Sequence, residues 1–350
     1  MPAAIRRVRP GKAWVVPGLA VALLATVVFS LCSGAMHLDG AEVLGALWRG
    51  LTRQPLQGTD AVVLTLRLPR VLMAALAGGA LACSGAVMQG MFRNPLADPG
   101  LMGVSAGSAL GAIGVIVLGG RGFGSLASLS GSFATAIAAF GGGLLATVLV
   151  YALGRRRAGV ASLLLAGVAI SAIAMAGIGL LTYMASELQL RDLSFWTLGS
   201  LGGTNWLRLG AAAPWIILAL FCLPRYAGAL NAFLLGEREA ALLGHAPDKL
   251  QRALVAWTAL ATSSAVAVCG VISFVGLLVP HLVRMIWGPD HRLLIPAATI
   301  LGAILLTWAD TAARTVVAPA ELPVGIIMAL LGGPFFLWLL MRTRTNGAGA

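Results

Sequence analysis

Residues 71–92 read VLMAALAGGALACSGAVMQGMF, and RNPLADPG follows at 93–100. The first stretch contains no charged residue and exceeds the about 20 apolar residues that carry an α-helix across a bilayer. The second stretch breaks the helix, because proline lacks a backbone donor and restricts the residue before it. Together they predict a membrane-spanning helix that ends in a proline-broken turn.

The same apolar character extends over the whole chain. Of its 350 residues, 59% are hydrophobic and 10% are charged, and the mean hydropathy is +0.93. A soluble domain carries roughly a quarter charged residues, so lipid is the expected solvent. The aromatic residues show no alternating girdle of the kind that a β-barrel carries. We therefore predict an all-α integral membrane protein in which residues 1–350 form a single transmembrane domain.

Charge and cysteine content exclude other classes. The net charge of +12 would suggest nucleic-acid binding in a soluble chain, but the basic residues lie at the ends of apolar runs, where the positive-inside rule places them. Cys32, Cys83, Cys222 and Cys269 stand singly inside such runs, without the spacing of a zinc, iron-sulfur or dithiol site. We expect neither a bound metal nor a permanently bound cofactor.

Uncharged runs of suitable length predict the spans. They are Val15 to Cys32, Val71 to Phe92, Gly100 to Gly120, part of Gly122 to Gly154, Ala158 to Tyr183, Leu209 to Pro224, Leu293 to Ala309 and Leu322 to Met341. Ala253 to Trp287 is too long for one crossing and is predicted to hold two. Both chain ends are basic, so both are expected in the cytoplasm and the count is even. This predicts about ten spans, a basic cytoplasmic tail at 1–13 and a cytoplasmic loop at 225–250.

Two details depend on that topology. The first run is preceded by basic residues, as in a signal peptide, but it has no convincing small-residue cleavage site and is read as a retained helix. Arg155, Arg156 and Arg157 then fall in the cytoplasm after the fourth span. Both details agree with the positive-inside rule.

Three arginines lie at the opposite, extracytoplasmic ends of the predicted spans. Arg67 and Arg70 flank Pro69, and Arg314 follows the ninth span. They could present guanidinium groups to carboxylates of a partner or reach lipid phosphates, and the residues alone favour neither role. Asp310 stands four residues before Arg314, so the two are predicted to form an ion pair.

The turn at 93–100 is a candidate gate. Its prolines, amide and carboxylate leave backbone groups that hydrocarbon cannot satisfy, so it must face protein or a water-filled path. Gly103, Gly107 and Gly111 follow it and form a small-residue stripe that permits close packing of the next helix.

A short amphipathic helix is predicted within residues 230–250. Ala240 and Leu243 are placed on its apolar face opposite Glu237, and Gly244 can end it. Such a helix suits a partner protein or the lipid interface. Further on, residues 274–284 are predicted to end the eighth span, and their His281 is read as a structural residue rather than a metal ligand.

Two other kinds of membrane protein are disfavoured. An ion-coupled carrier needs an ionisable group at mid-membrane, and the centres of the spans lack Asp, Glu, Lys and Arg. An intramembrane enzyme needs a catalytic set, and none appears at sensible spacing. The chain also lacks a phosphate-binding Gly-x-x-x-x-Gly-Lys loop, so any ATP must be handled by another polypeptide.

Several ordered motifs resemble the permease family of binding-protein-dependent ABC importers for iron siderophores, haem and cobalamin. The matching residues are RLPR at 67–70, SGAVMQ at 84–89, RNPLADP at 93–99, the loop at 236–244, FVGL at 274–277, PHLVR at 280–284 and ELPVG at 321–325. The resemblance runs from about Trp14 to Met341. It implies a non-catalytic subunit that pairs with a second copy of itself, two cytosolic ATPases and a periplasmic binding protein.

The resemblance also implies roles for particular residues. By this analogy Arg67, Arg70 and Arg314 would dock the binding protein, and Asn94 and Leu96 would form the cytoplasmic gate. The ATPase-coupling helix would be formed by Gly236, Glu237, Ala240 and Gly244. A polar second gate is not expected, because Gly159, Val160 and Ala161 stand where some members carry hydroxyl groups.

The expected cargo is haem, with a ferric siderophore or cobalamin as alternatives. The stretches 92–101 and 195–203 resemble the haem-importing branch. Met88, Gln89 and Met91 could line the path, although methionine in a membrane bundle more commonly serves packing.

Overall fold

A computed structural model of the chain describes residues 10–34, 36–119, 133–154 and 160–347. Over these residues it is all helical, with fourteen α-helices and no strand. The helices are α1 Val15–Cys32, α2 Gly40–Leu51, α3 Leu68–Met91, α4 Val104–Leu118, α5 Ala134–Gly154, α6 Val160–Tyr183, α7 Glu187–Leu198, α8 Trp206–Cys222, α9 Ala227–Phe233, α10 Glu237–Leu242, α11 Pro247–Cys269, α12 Val275–Trp287, α13 His291–Ala313 and α14 Val324–Gly347. The predicted all-α membrane fold is confirmed.

Seven helical segments of the described chain are long and apolar enough to cross a membrane, and α4, α12 and the apolar part of α14 are shorter apolar helices. The stretch 253–287 divides into α11 and α12, as its length predicts. Three predictions fall outside the described residues: most of the basic tail at 1–13, Arg155 to Arg157, and the start of the second gate element at Gly159.

The core of the bundle is built around α3 and α11, which are its most buried long helices. Helix α3 packs against α13, α11, α12 and α8, and α4 packs against α5 and α6. Gly78 on α3 faces Gly302 on α13 so closely that a Cβ on either would overlap the other's carbonyl oxygen. Small residues thus let the helix backbones touch, which replaces the hydrophobic driving force that lipid does not supply.

The glycine stripe after the turn behaves as predicted at two of its three positions. A Cβ on Gly107 would overlap the Gly142 carbonyl, and one on Gly111 would overlap the Ala138 carbonyl, so α4 and α5 are in backbone contact. Gly103 has another use: with φ of +75° it ends the 3₁₀ turn Pro99–Met102 and begins α4.

Two sequence-based boundaries are wrong. Helix α8 does not end in a loop at Pro224 but continues through the 3₁₀ turn Leu223–Tyr226 into α9, because proline is tolerated in the first turn of a helical segment. The stretch 274–284 does not end a span: Phe274 precedes α12 with φ of +69°, and the motif forms most of this short helix.

Candidate functional site

The structure brings the three predicted arginines together. Arg67 ends the π-helical stretch Val62–Arg67, Arg70 lies in the first turn of α3, and Arg314 follows α13. Asp310 on α13 and Glu321 before α14 complete the group, which we call the arginine cluster. Because α3 and α13 pack along their length, residues more than two hundred positions apart become neighbours.

Arg70 is the bridge of the arginine cluster. Its Nε and Nη2 atoms donate to Asp310 at 2.9–3.1 Å, and its Nη1 donates to both carboxylate oxygens of Glu321 at 2.9 and 3.0 Å. The Asp310 side chain is 1% exposed, whereas that of Glu321 is 46% exposed. One guanidinium thus joins a buried carboxylate to an accessible one.

Arg67 and Arg314 donate hydrogen bonds to the backbone carbonyls at the C-terminal end of α1. Arg67 Nη1 donates to the carbonyls of Leu31 and Cys32, and its Nη2 donates to that of Met36. Arg314 donates to the carbonyls of Ser30 and Ser33. The last carbonyls of a helix have no partner within it and carry partial negative charge, so these cations stabilise the α1 end.

The predicted ion pair between Asp310 and Arg314 is present, with Arg314 Nε 3.6 Å from Asp310 Oδ2, but Arg70 holds the shorter contacts to that carboxylate. Burial lowers the pKa of the Arg314 guanidinium to about 10, which leaves it protonated at neutral pH. Arg67 and Arg314 are both 6% exposed, so their guanidinium groups are not available on the surface. Glu321 is the accessible member, and its only sequence signal was its place in the ELPVG motif.

The candidate gate turn after α3 is fixed by its own side chains. Asn94 Oδ1 accepts from the Leu96 N–H at 2.9 Å, and Asp98 Oδ1 accepts from the Gly100 N–H at 2.7 Å. Burial raises the pKa of the Asp98 carboxyl. Asn94 is exposed and Leu96 is 49% exposed. Both predicted gate residues therefore stand at a free surface of this chain.

Met88, Gln89 and Met91 lie inside the protein rather than on an open surface. Met88 is fully buried, and Gln89 and Met91 are each 2% exposed. Gln89 Nε2 donates to the Gly276 carbonyl of α12 at 3.2 Å. In this chain the three side chains pack inside the helical bundle, because α3 is enclosed by its neighbouring helices.

The predicted amphipathic helix is α10. Ala240 is fully buried, and Gly244, with φ of +88°, ends the helix in a Schellman motif in which the His245 N–H donates to the Ala240 carbonyl at 3.1 Å. Placing Leu243 on the buried face was wrong: it is 62% exposed, and Leu242 is 88% exposed. The helix is too short to bury both an alanine and a leucine one turn later, so it offers an exposed leucine pair.

A cleft of about 750 Å³ opens beside Glu321. Its walls include the aromatic rings of Phe195 and Trp196 on α7 and the guanidinium of Arg208 on α8. Arg208 forms no ion pair with a carboxylate of the described residues. We call this the aromatic cleft; it combines flat apolar surfaces with one cation, Arg208, and two carboxylates, Asp192 and Glu321.

Apolar helices of membrane-spanning length in close backbone contact define a multi-pass membrane protein. A model of the FecCD transport family matches residues 22–342, and the chain belongs to this family. It is therefore a multi-pass inner-membrane permease of an ABC importer, a subunit that is not itself catalytic.

Named relatives and a solved structure agree with this assignment. The chain is 43% identical over 335 residues to the hemin transport system permease protein HmuU of Yersinia pestis, covering 95% of this chain and 98% of that protein. It is 40% identical to the cobalamin import system permease protein BtuC of Halobacterium salinarum, covering 91% and 88%. A solved metal-chelate type ABC transporter in an inward-facing conformation matches with a TM-score of 0.82 and 31% identity, covering 94% of this chain and 99% of that one.

Proposed function

We propose that this permease imports haem, as a homodimer above two cytosolic ATPases, from a periplasmic binding protein. The assignment of haem as the cargo rests on the 43% sequence identity, over almost the whole chain, to a haem permease. Similar identity to a cobalamin permease makes cobalamin the second candidate. A ferric siderophore is a third, because the FecCD family and a metal-chelate transporter both match.

The aromatic cleft supports haem on chemical grounds. A porphyrin is flat and apolar and carries two carboxylates, and aromatic rings and guanidinium groups bind such surfaces and charges. Phe195, Trp196 and Arg208 supply these groups in one cleft. Cobalamin has no free carboxylate for Arg208, so this residue favours haem, whereas the carboxylates of Asp192 and Glu321 in the same walls oppose a second anion.

The arginine cluster is the proposed docking site for the binding protein. Three arginines and two carboxylates leave a net positive charge, which attracts acidic side chains. Arg70 is the member that can change partners, since Glu321 is exposed and held only by Arg70 among the described residues. An incoming carboxylate would replace Glu321 on Arg70, while Arg67 and Arg314 keep their contacts with α1.

The other end of the bundle carries the proposed gate and ATPase contact. Leu242 and Leu243 on α10 expose an apolar pair of the kind that a partner's groove buries. Asn94 and Leu96 stand free to meet the second copy as the gate. The long apolar α6, which is mostly exposed in one chain, supplies surface for that second copy or for lipid.

Uptake into proteoliposomes tests this function. The permease, its ATPase and its binding protein would be reconstituted, and ATP-dependent uptake of haem, cobalamin and a ferric siderophore would be measured side by side. We expect haem uptake, reduced about tenfold in Arg208→Ala, since a good charge-assisted contact is worth that order. Arg191→Ala, on α7 but outside the cleft walls, is the matched control. Uptake of cobalamin alone would reassign the cargo, and no ATP-dependent uptake would reject the importer.

A further inference from the structure

Helix α9 and helix α10 are connected by hydrogen-bonded backbone. After α9 ends at Phe233, the N–H groups of Leu235 and Gly236 donate to the carbonyls of Ala232 and Phe233, each at 3.1 Å. The Gly236 carbonyl then accepts from the Ala240 N–H inside α10 at 3.0 Å. A displacement of α10 must therefore be carried into α9, because the connection has no free length to absorb it.

Asn231 on α9 holds the start of α13. Its Oδ1 accepts from both the backbone N–H and the Nδ1 of His291 at 2.9 Å, and its Nδ2 donates to Asp290 Oδ1 at 2.7 Å. Asp290 in turn accepts from the Arg292 N–H as the N-cap of α13. The carboxylate fixes the amide orientation, since its oxygen can only accept and must face the amide nitrogen. We call Asn231, Asp290 and His291 the asparagine node.

His291 extends the asparagine node to α3. Its Nδ1 faces the amide oxygen of Asn231 and therefore donates to it. Nε2 is buried without a hydrogen-bond partner and lies against the backbone of Gly90, where a Cβ would overlap it. The imidazole thus fills the space between α9 and the last turn of α3, and only glycine fits opposite it.

Gly90 leads directly into the candidate gate turn. The Gly90 carbonyl accepts from the Arg93 N–H at 3.3 Å, and the Asn94 N–H donates to the Gln89 carbonyl at 3.2 Å. The last turn of α3 therefore sets where Asn94 begins the turn. Contacts run without a break from α10 through α9, Asn231, His291 and Gly90 to the gate.

We propose that Asn231 and His291 are positioning residues that transmit movement of the ATPase-coupling helix α10 to the gate turn at 93–98. This rests on the proposed function, in which α10 meets the ATPase and Asn94 and Leu96 close the path. The transmission is steric and directional: the amide keeps α9 in register with α13, and the ring pushes on Gly90. No charge moves and no proton is exchanged.

The test measures uptake per ATP hydrolysed in the reconstituted transporter. Asn231→Ala removes the amide from one side of the ring, and Gly90→Ala displaces the ring from the other side while leaving every side chain of the node in place. We expect each to keep ATP hydrolysis but to lower uptake per ATP by about fivefold, the order by which mutations between two sites change their coupling. The matched controls are Gln54→Ala, an exposed amide in the connection after α2, and Gly114→Ala, where a Cβ meets nothing. Both should keep the wild-type ratio.

Exchanging the amide and the carboxylate between positions 231 and 290 distinguishes a loss of transmission from a loss of stability. N231D alone places two carboxylates together and should uncouple, whereas in the double variant N231D/D290N the amide nitrogen at 290 donates to the carboxylate at 231. That nitrogen takes the place of the oxygen that accepts from the Arg292 N–H, so the amide oxygen at 290 must turn to cap α13. We expect the double variant to recover the ratio of uptake to hydrolysis. Wild-type ratios in N231A and G90A, or no recovery in a folded double variant, would overturn this inference alone. Absence of ATP-driven uptake by the wild type would instead overturn the importer proposal and this inference with it.

Discussion

The two ends of α13 are both completed by polar groups from other helices, but by opposite means. At its C-terminal end the arginine cluster uses five charged side chains, three of them cationic. About 34 Å away at its N-terminal end, by the rise of 1.5 Å per residue, the asparagine node uses an amide, an imidazole and a single carboxylate. Cations near the helix C-terminus and an anion at its N-terminus both agree with the helix dipole.

The difference shows what each end can do. Ion pairs act over distance and tolerate exchange of one carboxylate for another, so the arginine cluster suits a partner that comes and goes. Amide and imidazole hydrogen bonds are short and directional, so the asparagine node suits the transmission of position. Breaking each end should therefore give different kinds of loss.

The largest expected effect is at the buried carboxylate of the arginine cluster. Asp310→Ala leaves Arg70 and Arg314 without their buried counter-charge, and removing one partner of a buried ion pair costs about 3–5 kcal/mol. Thermal unfolding of the purified permease in detergent would measure it. The paired control is Glu321→Ala at the exposed partner, and equal losses in the two variants would contradict the division into a buried and an exposed carboxylate.

A smaller effect is expected at the start of α10, where backbone geometry replaces charge. Gly236 has φ of +136° and ψ of 157°, a region that side chains rarely adopt, so Gly236→Ala should cost about 2 kcal/mol. Gly244→Ala, with φ of +88° and open space around it, should cost about 1 kcal/mol. The order of the two melting temperatures checks this, and a reversed order would show that α10 is free to rearrange.

The pH dependence of unfolding should further distinguish the asparagine node from the arginine cluster. Burial opposes ionisation of Asp290, but hydrogen bonds from Asn231 and the Arg292 N–H hold its pKa below its usual value. Its contribution is therefore complete above the unfolded pKa of about 3.9 and is lost as pH falls through the lower folded value. In Asn231→Ala the folded pKa should lie closer to the unfolded value, so the loss of stability on acidification should be smaller and complete at a higher pH. Unfolding curves of both proteins between pH 3 and 7 would show it, and coincident pH dependence would exclude the contact.

The smallest stability effect is expected at Glu321. An exposed ion pair is worth about 0–1 kcal/mol, so Glu321→Gln should change the melting temperature little. It should nevertheless strengthen binding of the binding protein, because the Arg70 Nη1 then has no carboxylate of Glu321 to release. Binding titrations at low and high salt would check both the affinity and its salt dependence. Weaker binding in Glu321→Gln would mean that Glu321 itself contacts the partner.

The sequence was a good guide wherever a local pattern carries the information. Apolar length predicted the helices, and the Gly107 and Gly111 positions predicted the close contact of α4 and α5. It failed at Leu243, because a six-residue helix has too few positions for its periodicity to identify the buried side. It also misplaced the end of α8, since proline within a 3₁₀ turn allows the helical path to continue into α9.

Composition, apolar run lengths and ordered motifs alone determined that this chain is a helical membrane protein of an importer permease family, because lipid requires each span to satisfy its own backbone. Only the tertiary structure decided what the polar residues do. Arg70 and Glu321, or Asn231 and His291, are distant in sequence and carry no periodic signal. Helix packing makes them neighbours, and the cost of burying an unpaired polar group then selects their partners.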